Sequence, residues 1–258
     1  MPNNLKSILL TNDDGIEADG LKILRDELRR IANVIVVAPN RERSAVSHGR
    51  TFHSPLLKLE EIEQDCFSLN GLPADCVFYA LDELFITPPD MVISGINHGS
   101  NLGDDVMYSG TVAAAREAAR FGIPSIAVSQ KYEDGKKIQF KDGVKFTRNM
   151  VRAILENGIG GELLLNVNIP MMKIKGAKFT RQGYTENPRH FPISKDAWNL
   201  PSSNLIGSLK DELIRDIDAV NDGYVSITPL QRDQTDYHAA QALVGIGENF
   251  FVKQSKNR

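Results

Sequence analysis

The stretch Ser7-Ile8-Leu9-Leu10-Thr11-Asn12-Asp13-Asp14-Gly15 constrains this chain more than any other. Its apolar run suits a strand buried on both faces of a parallel sheet. Asp13 and Asp14 then fall at the strand's carboxyl end, where open α/β sheets place their ligands. Adjacent side chains on a regular strand point to opposite faces, so the two carboxylates share a target only if the chain turns. Gly15 permits that turn. Two neighbouring anions repel and raise each other's pKa unless a cation lies between them. A divalent metal with hard oxygen ligands satisfies the pair. The plainer alternative is an Asx turn before a helix, which Asn-Asp-Asp-Gly also suits.

Downstream, Leu21, Leu24, Leu28 and Ile31 repeat at helical spacing, with Asp19 as a possible N-cap. Val34-Ile35-Val36-Val37-Ala38 is a second apolar strand, ended by Pro39. Strand, helix, strand within this span makes a βαβ unit with a right-handed crossover. The polar loop Asn40 to Phe52 leaves the same sheet edge as the Asp pair, and its Arg41, Arg43, Ser44 and Ser47 could contact an anion or a metal. Leu56 to Leu69 reads as extended or hairpin, and Asn70 to Asp75 as a turn into a helix carrying Cys76 and Val77.

Asp90 to Gly95 is a third buried strand. The loop after it, Gly95 to Thr111, holds four glycines, the last within Ser109-Gly110-Thr111, which opens an alanine-rich helix. Free N–H groups and the dipole at that helix start favour an anion, although Ser109 or Thr111 could equally serve as a plain N-cap. Ser125 to Ser129 is a fourth strand, Phe140 to Glu156 an amphipathic helix and Leu163 to Ile169 a further strand. Alternating β and α segments predict a Rossmann-like three-layer αβα sandwich with a mainly parallel sheet over residues 1–170. Residues 171–258 change character and are expected to form a smaller β-rich excursion and a terminal helix. That excursion includes extended segments between Asp216 and Pro229, and it pairs with another subunit or walls the site.

The 258 residues carry a net charge of -3, and no basic patch dominates, which argues against a nucleic-acid polymer as partner. No apolar run is long enough to span a membrane. Two cysteines, Cys66 and Cys76, are too few for a disulfide framework and fit buried thiols in a reducing cytoplasm.

Several motifs occur in one order: Leu9 to Ile16, Val37-Ala38-Pro39 with Arg41 and Ser44, Pro73 to Val77, and Val92 to Val112. Together with Asp222 to Leu230 they closely resemble the SurE family of survival-protein phosphatases. The resemblance implies one Mg²⁺ or Mn²⁺ per subunit held by Asp13, Asp14, Ser44 and Asn97. It implies Asp13, Asp14 and Asn97 as catalytic residues, with Asn12, Gly99, Asn101, Ser109, Gly110 and Thr111 around the phosphate. The implied activity is hydrolysis of nucleoside 5'- and 3'-monophosphates, with short polyphosphate a further substrate, in a homodimer or homotetramer. Three positions depart from the family pattern: Asn40 for Asp, Ala45 for Gly after the serine, and Leu72 for Thr. Asn40 could alter how the ligands are oriented. Ala45 is neutral if its φ is negative and strained if it is positive.

A metal at the Asp pair can polarise the phosphoryl group, activate water and orient the substrate. His98, Asp105 and water are the candidate proton carriers. Three rivals follow: a covalent aspartyl-phosphate on Asp13, a non-catalytic nucleotide- or metal-sensing module, and a dinucleotide oxidoreductase. The first usually spaces its two aspartates by one residue. The last lacks the glycine fingerprint after the first strand.

Overall fold

A computed structural model describes residues 5–51, 57–133, 135, 136, 138–184 and 213–244. The first apolar run forms β1 (Ser7–Thr11), followed by α1 (Asp19–Leu28) and β2 (Asn33–Pro39). A hairpin of β3 (Leu59–Glu63) and β4 (Cys66–Leu69) leads to α2 (Pro73–Tyr79) and a short π-helical turn. Then come β5 (Met91–His98), a 3₁₀ turn (Gly103–Met107), α3 (Gly110–Arg120), β6 (Ser125–Gln130), α4 (Lys141–Glu156) and β7 (Leu164–Ile169). The described part of the remaining chain holds β8 (Ala177–Phe179), α5 (Asp216–Asn221), β9 (Val225–Pro229) and α6 (Tyr237–Val244).

The nine strands among the described residues join one sheet in the order β3-β4-β2-β1-β5-β6-β7-β9-β8. The pairs from β4 through β7 are parallel, while β3 on β4 and β9 on β7 are antiparallel. The α/β sandwich expected from the sequence is therefore present. The described strands past residue 170, β8 and β9, extend the same sheet.

The hydrophobic pattern explains the layers. Leu21, Leu24 and Leu28 of α1 and Val144, Val151 and Ile154 of α4 pack on one face with Ile8, Leu10 and Ile93. Cys76, Val77 and Ala80 from α2 and its continuation, with Ala114 and Ala118 of α3, cover the other face against Leu9 and Val92. The alanines let α3 lie close to the sheet. Both cysteines are free and buried. Each fully buried Leu or Ile contributes about 1.5–3 kcal/mol, so these two cores hold the sheet rigid beneath the site.

Two local expectations change. Asp19 is the first residue of α1 and makes no capping bond, with Ala18 as the N-cap; an acidic residue there complements the helix dipole instead. Asp216–Asn221 is helical rather than extended, with Asp216 and Asp218 in its first turn and Ala219 and Val220 buried. The irregular stretch from Glu186 to Asp211 lies outside the described residues.

The chain leaves β1 toward β2 and β4, then returns to place β5 on the other side of β1. The carboxyl ends of β1 and β5 thus flank a topological switch point, the usual ligand crevice of such sheets.

Candidate functional site

Asp13 and Asp14 follow β1 directly at this switch point. Asn12 shapes the turn: its Nδ2 donates to the Gly15 carbonyl at 2.9 Å, and its Oδ1 accepts from the Gly15 N–H at 3.2 Å. Both ends of the amide are engaged within the turn, so Asn12 helps to set the path of the backbone here. Gly15 has φ of 100°, and a Cβ there would lie 2.9 Å from the Arg41 carbonyl carbon. A side chain is excluded because the loop after β2 packs onto this turn. The Ile16 N–H donates to the Pro39 carbonyl at 2.8 Å, and the Arg43 N–H to the Asp13 carbonyl at 2.7 Å.

Asp13 is almost wholly buried. Its Oδ1 accepts a 2.6 Å hydrogen bond from the Thr111 hydroxyl at the start of α3. Burial pushes its carboxyl up to about 6, the Thr111 bond draws it down, and the Asp14 charge adds to the rise. Asp14 Oδ2 accepts from the His98 N–H at 3.1 Å. Its carboxyl is likewise pushed to about 6, chiefly by burial, with the His98 bond opposing and the Glu42 charge adding. Two carboxylates so raised lack positive charge.

Asn97 lies at the end of β5, and its Nδ2 donates to the Gly99 carbonyl at 2.9 Å. Its Oδ1 is the atom left to meet a cation. Ser44 sits on the exposed loop after β2, its hydroxyl donating to Glu42 Oε1 at 2.9 Å. Among the described residues no three His, Cys, Asp or Glu side chains converge as a metal cluster. The donors that fit a cation are two carboxylates plus the neutral oxygens of Asn97 and Ser44, a hard set suited to Mg²⁺ or Mn²⁺.

The expected phosphate cradle divides. Ser109 caps α3, its Oγ accepting from the Val112 N–H at 3.1 Å. Gly110 lies against the Asp pair: a Cβ there would come within 2.9 Å of Asp13 Oδ2. Asn101 is buried in a network away from solvent. Its N–H donates to Asn168 Oδ1 (2.8 Å) and its Nδ2 to Ser129 Oγ (2.8 Å). Its carbonyl accepts from Asn166 Nδ2 (2.8 Å) and Asn168 Nδ2 (3.1 Å). Asn101 and Thr111 therefore hold the site in place, while the backbone of Gly99 and Gly110 borders it.

Some anchors were not legible as functional. Glu117 of α3 is 2% exposed and takes His48 Nε2 at 3.0 Å and Arg120 at 2.9 Å. Burial works against its charge, but His48 and Arg120 hold its carboxyl below the ordinary value. Asp75, fully buried, accepts from the Thr51 N–H at 3.0 Å and the Leu72 N–H at 3.0 Å. Together they fasten the loop that carries Ser44. Within that loop Ala45 has φ of 56° and Ser47 of 52°, both left-handed. Asp216 reaches back to the glycine-rich loop, its Oδ2 accepting from the Gly103 N–H at 3.0 Å. Asp105 is raised by burial, with the charges of Asp104 and Asp216 adding. Burial lowers the His98 imidazole, against the pull of Asp19, Glu42 and Asp13.

Comparison with known proteins follows this geometry. A family model described as Survival protein SurE matches residues 8–188. The chain is 42% identical to the 5'-nucleotidase SurE of Thermoanaerobacter sp. (strain X514) over 92% of its own length and 96% of the relative's. It is 36% identical to the 5'-nucleotidase SurE of Syntrophotalea carbinolica, covering 92% and 95%. The crystal structure of the SurE protein from Aquifex aeolicus superposes with a TM-score of 0.76 at 37% identity, covering 93% of this chain and 99% of that one.

Proposed function

Because this chain belongs to the SurE family, we propose that it is a metal-dependent 5'-nucleotidase that hydrolyses nucleoside monophosphates to nucleoside and phosphate. The observation that carries the reading is the pair Asp13 and Asp14, buried together at the β1–β5 switch point with both carboxyls pushed to about 6. Such a pair calls for a cation, and a phosphate ester is the anion that a cation there recruits. Relatives named for turnover match nearly the full chain, which disfavours a binding-only module.

Asp13, Asp14, Asn97 and Ser44 hold one Mg²⁺ or Mn²⁺. When bound, the ion neutralises phosphoryl oxygens and makes an attacking water more acidic. Thr111 fixes the Asp13 carboxylate, and the His98 N–H fixes that of Asp14. The start of α3 presents backbone N–H groups to the phosphate, and the missing side chain at Gly110 lets the phosphate approach. His98, Asp105 or water returns a proton to the leaving oxygen. The chain acts on 3'-phosphates and short polyphosphate as secondary substrates. It works in the cytoplasm, consistent with two buried free thiols. It assembles as a homodimer or homotetramer through its C-terminal region.

Phosphate release from a panel of nucleoside monophosphates tests the reading, first in EDTA and then with Mg²⁺ or Mn²⁺ restored. Metal-rescued release supports it. A folded protein that releases no phosphate with either ion refutes it.

A further inference from the structure

A cavity of about 720 Å³ lies between α3, the 3₁₀ turn before it and the end of β9, and neither Asp13 nor Asp14 lines it. The volume falls in the range of small-molecule sites. Arg116 from α3 and Arg181 from the segment after β8 both line it, and both are half-buried. Their Nε atoms are buried without a hydrogen-bond partner, and among the described residues neither guanidinium forms an ion pair. Burial lowers the Arg116 guanidinium from its ordinary value, and no neighbouring charge offsets that effect. Nearby arginines are matched with carboxylates instead. Arg120 on the same helix pairs with Glu117, and Arg215, bridged to Arg181 along the backbone, pairs with Asp218. Among the described residues no Asp or Glu lines the cavity. A cation drawn out of water without a counter-charge costs free energy unless an anion joins it.

We propose that this cavity binds a small organic phosphate ester, its phosphate held by Arg116 and Arg181, at a site separate from the Asp pair. A guanidinium presents its N–H donors as a planar fork that matches phosphate oxygens, and two forks suit a dianion. Other polar groups in the wall are already engaged. Thr180 and Thr228 bond each other through their hydroxyls at 2.7 Å, and Gln182 Nε2 donates to the Gly103 carbonyl at 2.9 Å. Val106, Met107, Leu213 and Leu230 supply an apolar wall beside the arginines. That wall rewards a ligand with a carbon skeleton over free phosphate, because covering it removes apolar surface from water.

Isothermal titration calorimetry at pH 7.5 in EDTA tests this with phenyl phosphate and with inorganic phosphate. EDTA keeps metal from the Asp pair, whose two carboxylates then repel an anion. The proposal expects one phenyl phosphate per chain, bound at least fivefold more tightly than inorganic phosphate. Arg116→Gln and Arg181→Gln should each weaken phenyl phosphate about tenfold, with the fold intact by circular dichroism. Arg116→Lys, which keeps the charge and loses the fork, should weaken it less. Asp14→Asn, which alters the other site, should bind it as the wild-type protein does. No saturable binding by the wild-type protein, equal affinity for the two anions, or binding that both Gln variants retain in full would overturn the proposal. A loss of binding in Asp14→Asn would also overturn it, because the anion would then lie at the Asp pair.

Discussion

The Thr111 hydroxyl donates to Asp13 Oδ1 across 2.6 Å, tying the first turn of α3 to the end of β1. Both residues are buried. The bond sets the direction of a carboxylate that would otherwise be free to rotate beside Asp14. Residues that orient metal ligands typically affect activity or metal affinity 10–100-fold. Thr111→Val keeps the shape and removes the donor. It should lower kcat/KM for AMP by roughly that factor with the fold intact by circular dichroism, and Thr111→Ser should recover most of the loss. A Thr111→Val protein at the wild-type rate would show that the bond does nothing for catalysis.

The raised carboxyls give the metal-free protein a signed pH dependence. Asp13 and Asp14 both stand at about 6 when folded, above an unfolded value of roughly 3.9. The fold thus favours their protonated forms. Their contribution to stability is complete below about pH 4 and is lost as pH rises through 6, a change on the order of 3 kcal/mol for Asp13. In EDTA, Asp13→Asn should gain melting temperature relative to wild type between pH 4.5 and pH 7.5. Saturating Mn²⁺ at pH 7.5 should reverse the order. A wild-type protein that gains on the variant over that range in EDTA would contradict the account.

Ala45 holds φ of 56° in the loop that carries Ser44. A left-handed conformation costs a residue with a Cβ about 1–2 kcal/mol. Glycine avoids that strain and loses about 0.5–1 kcal/mol through its freer unfolded chain. Ala45→Gly should therefore stabilise the protein by about 0.5–1 kcal/mol, read from the urea midpoint. A lower midpoint would mean that the loop does not hold this conformation in solution.

Glu117 fastens the same loop through His48 at 3.0 Å and Arg50 at 3.5 Å, while Arg120 pairs with it along α3. Its folded carboxyl is held below the ordinary value, so its stabilising effect is present at neutral pH and fades as pH falls through the folded value. His48 and Arg120 are partly exposed, so Glu117→Ala should cost roughly 2 kcal/mol, between a surface pair and a buried one. It should also raise the Mn²⁺ concentration needed for half-maximal turnover, because Ser44 loses its support. Unchanged stability and metal dependence would separate the loop anchor from the site.

The sandwich was legible because its central strands are unbroken apolar runs. Ile8 to Leu10, Val34 to Ala38 and Met91 to Ile93 leave no other place to be buried. The Asp pair was legible because a strand end followed by Gly15 dictates where two carboxylates go. What escaped depends on distance in the chain. Asn166 and Asn168 stand two apart in an apolar strand, a signal that they need partners, but nothing local says that the partner is Asn101. Thr111 read as part of a phosphate cradle or as a helix cap, and only the packing of α3 shows it bonding Asp13. Glu117 looked like an ordinary polar position in an alanine-rich helix, and only the fold of the loop from Arg41 to Arg50 reveals what it binds. Asp216 and Asp218 favoured a helix start over the extended path that Val220 and the Asn221-Asp222-Gly223 turn suggested.

The most direct measurement is Mn²⁺ bound per chain and phosphate released from AMP, taken on the same samples of wild type and Asp14→Asn. The account predicts one Mn²⁺ per chain with metal-dependent release for wild type. For the variant it predicts metal binding weakened at least a hundredfold and loss of nearly all turnover, without loss of fold. Full turnover by folded Asp14→Asn, or wild-type turnover that persists after the metal is removed, would contradict a cation held at the β1–β5 switch point.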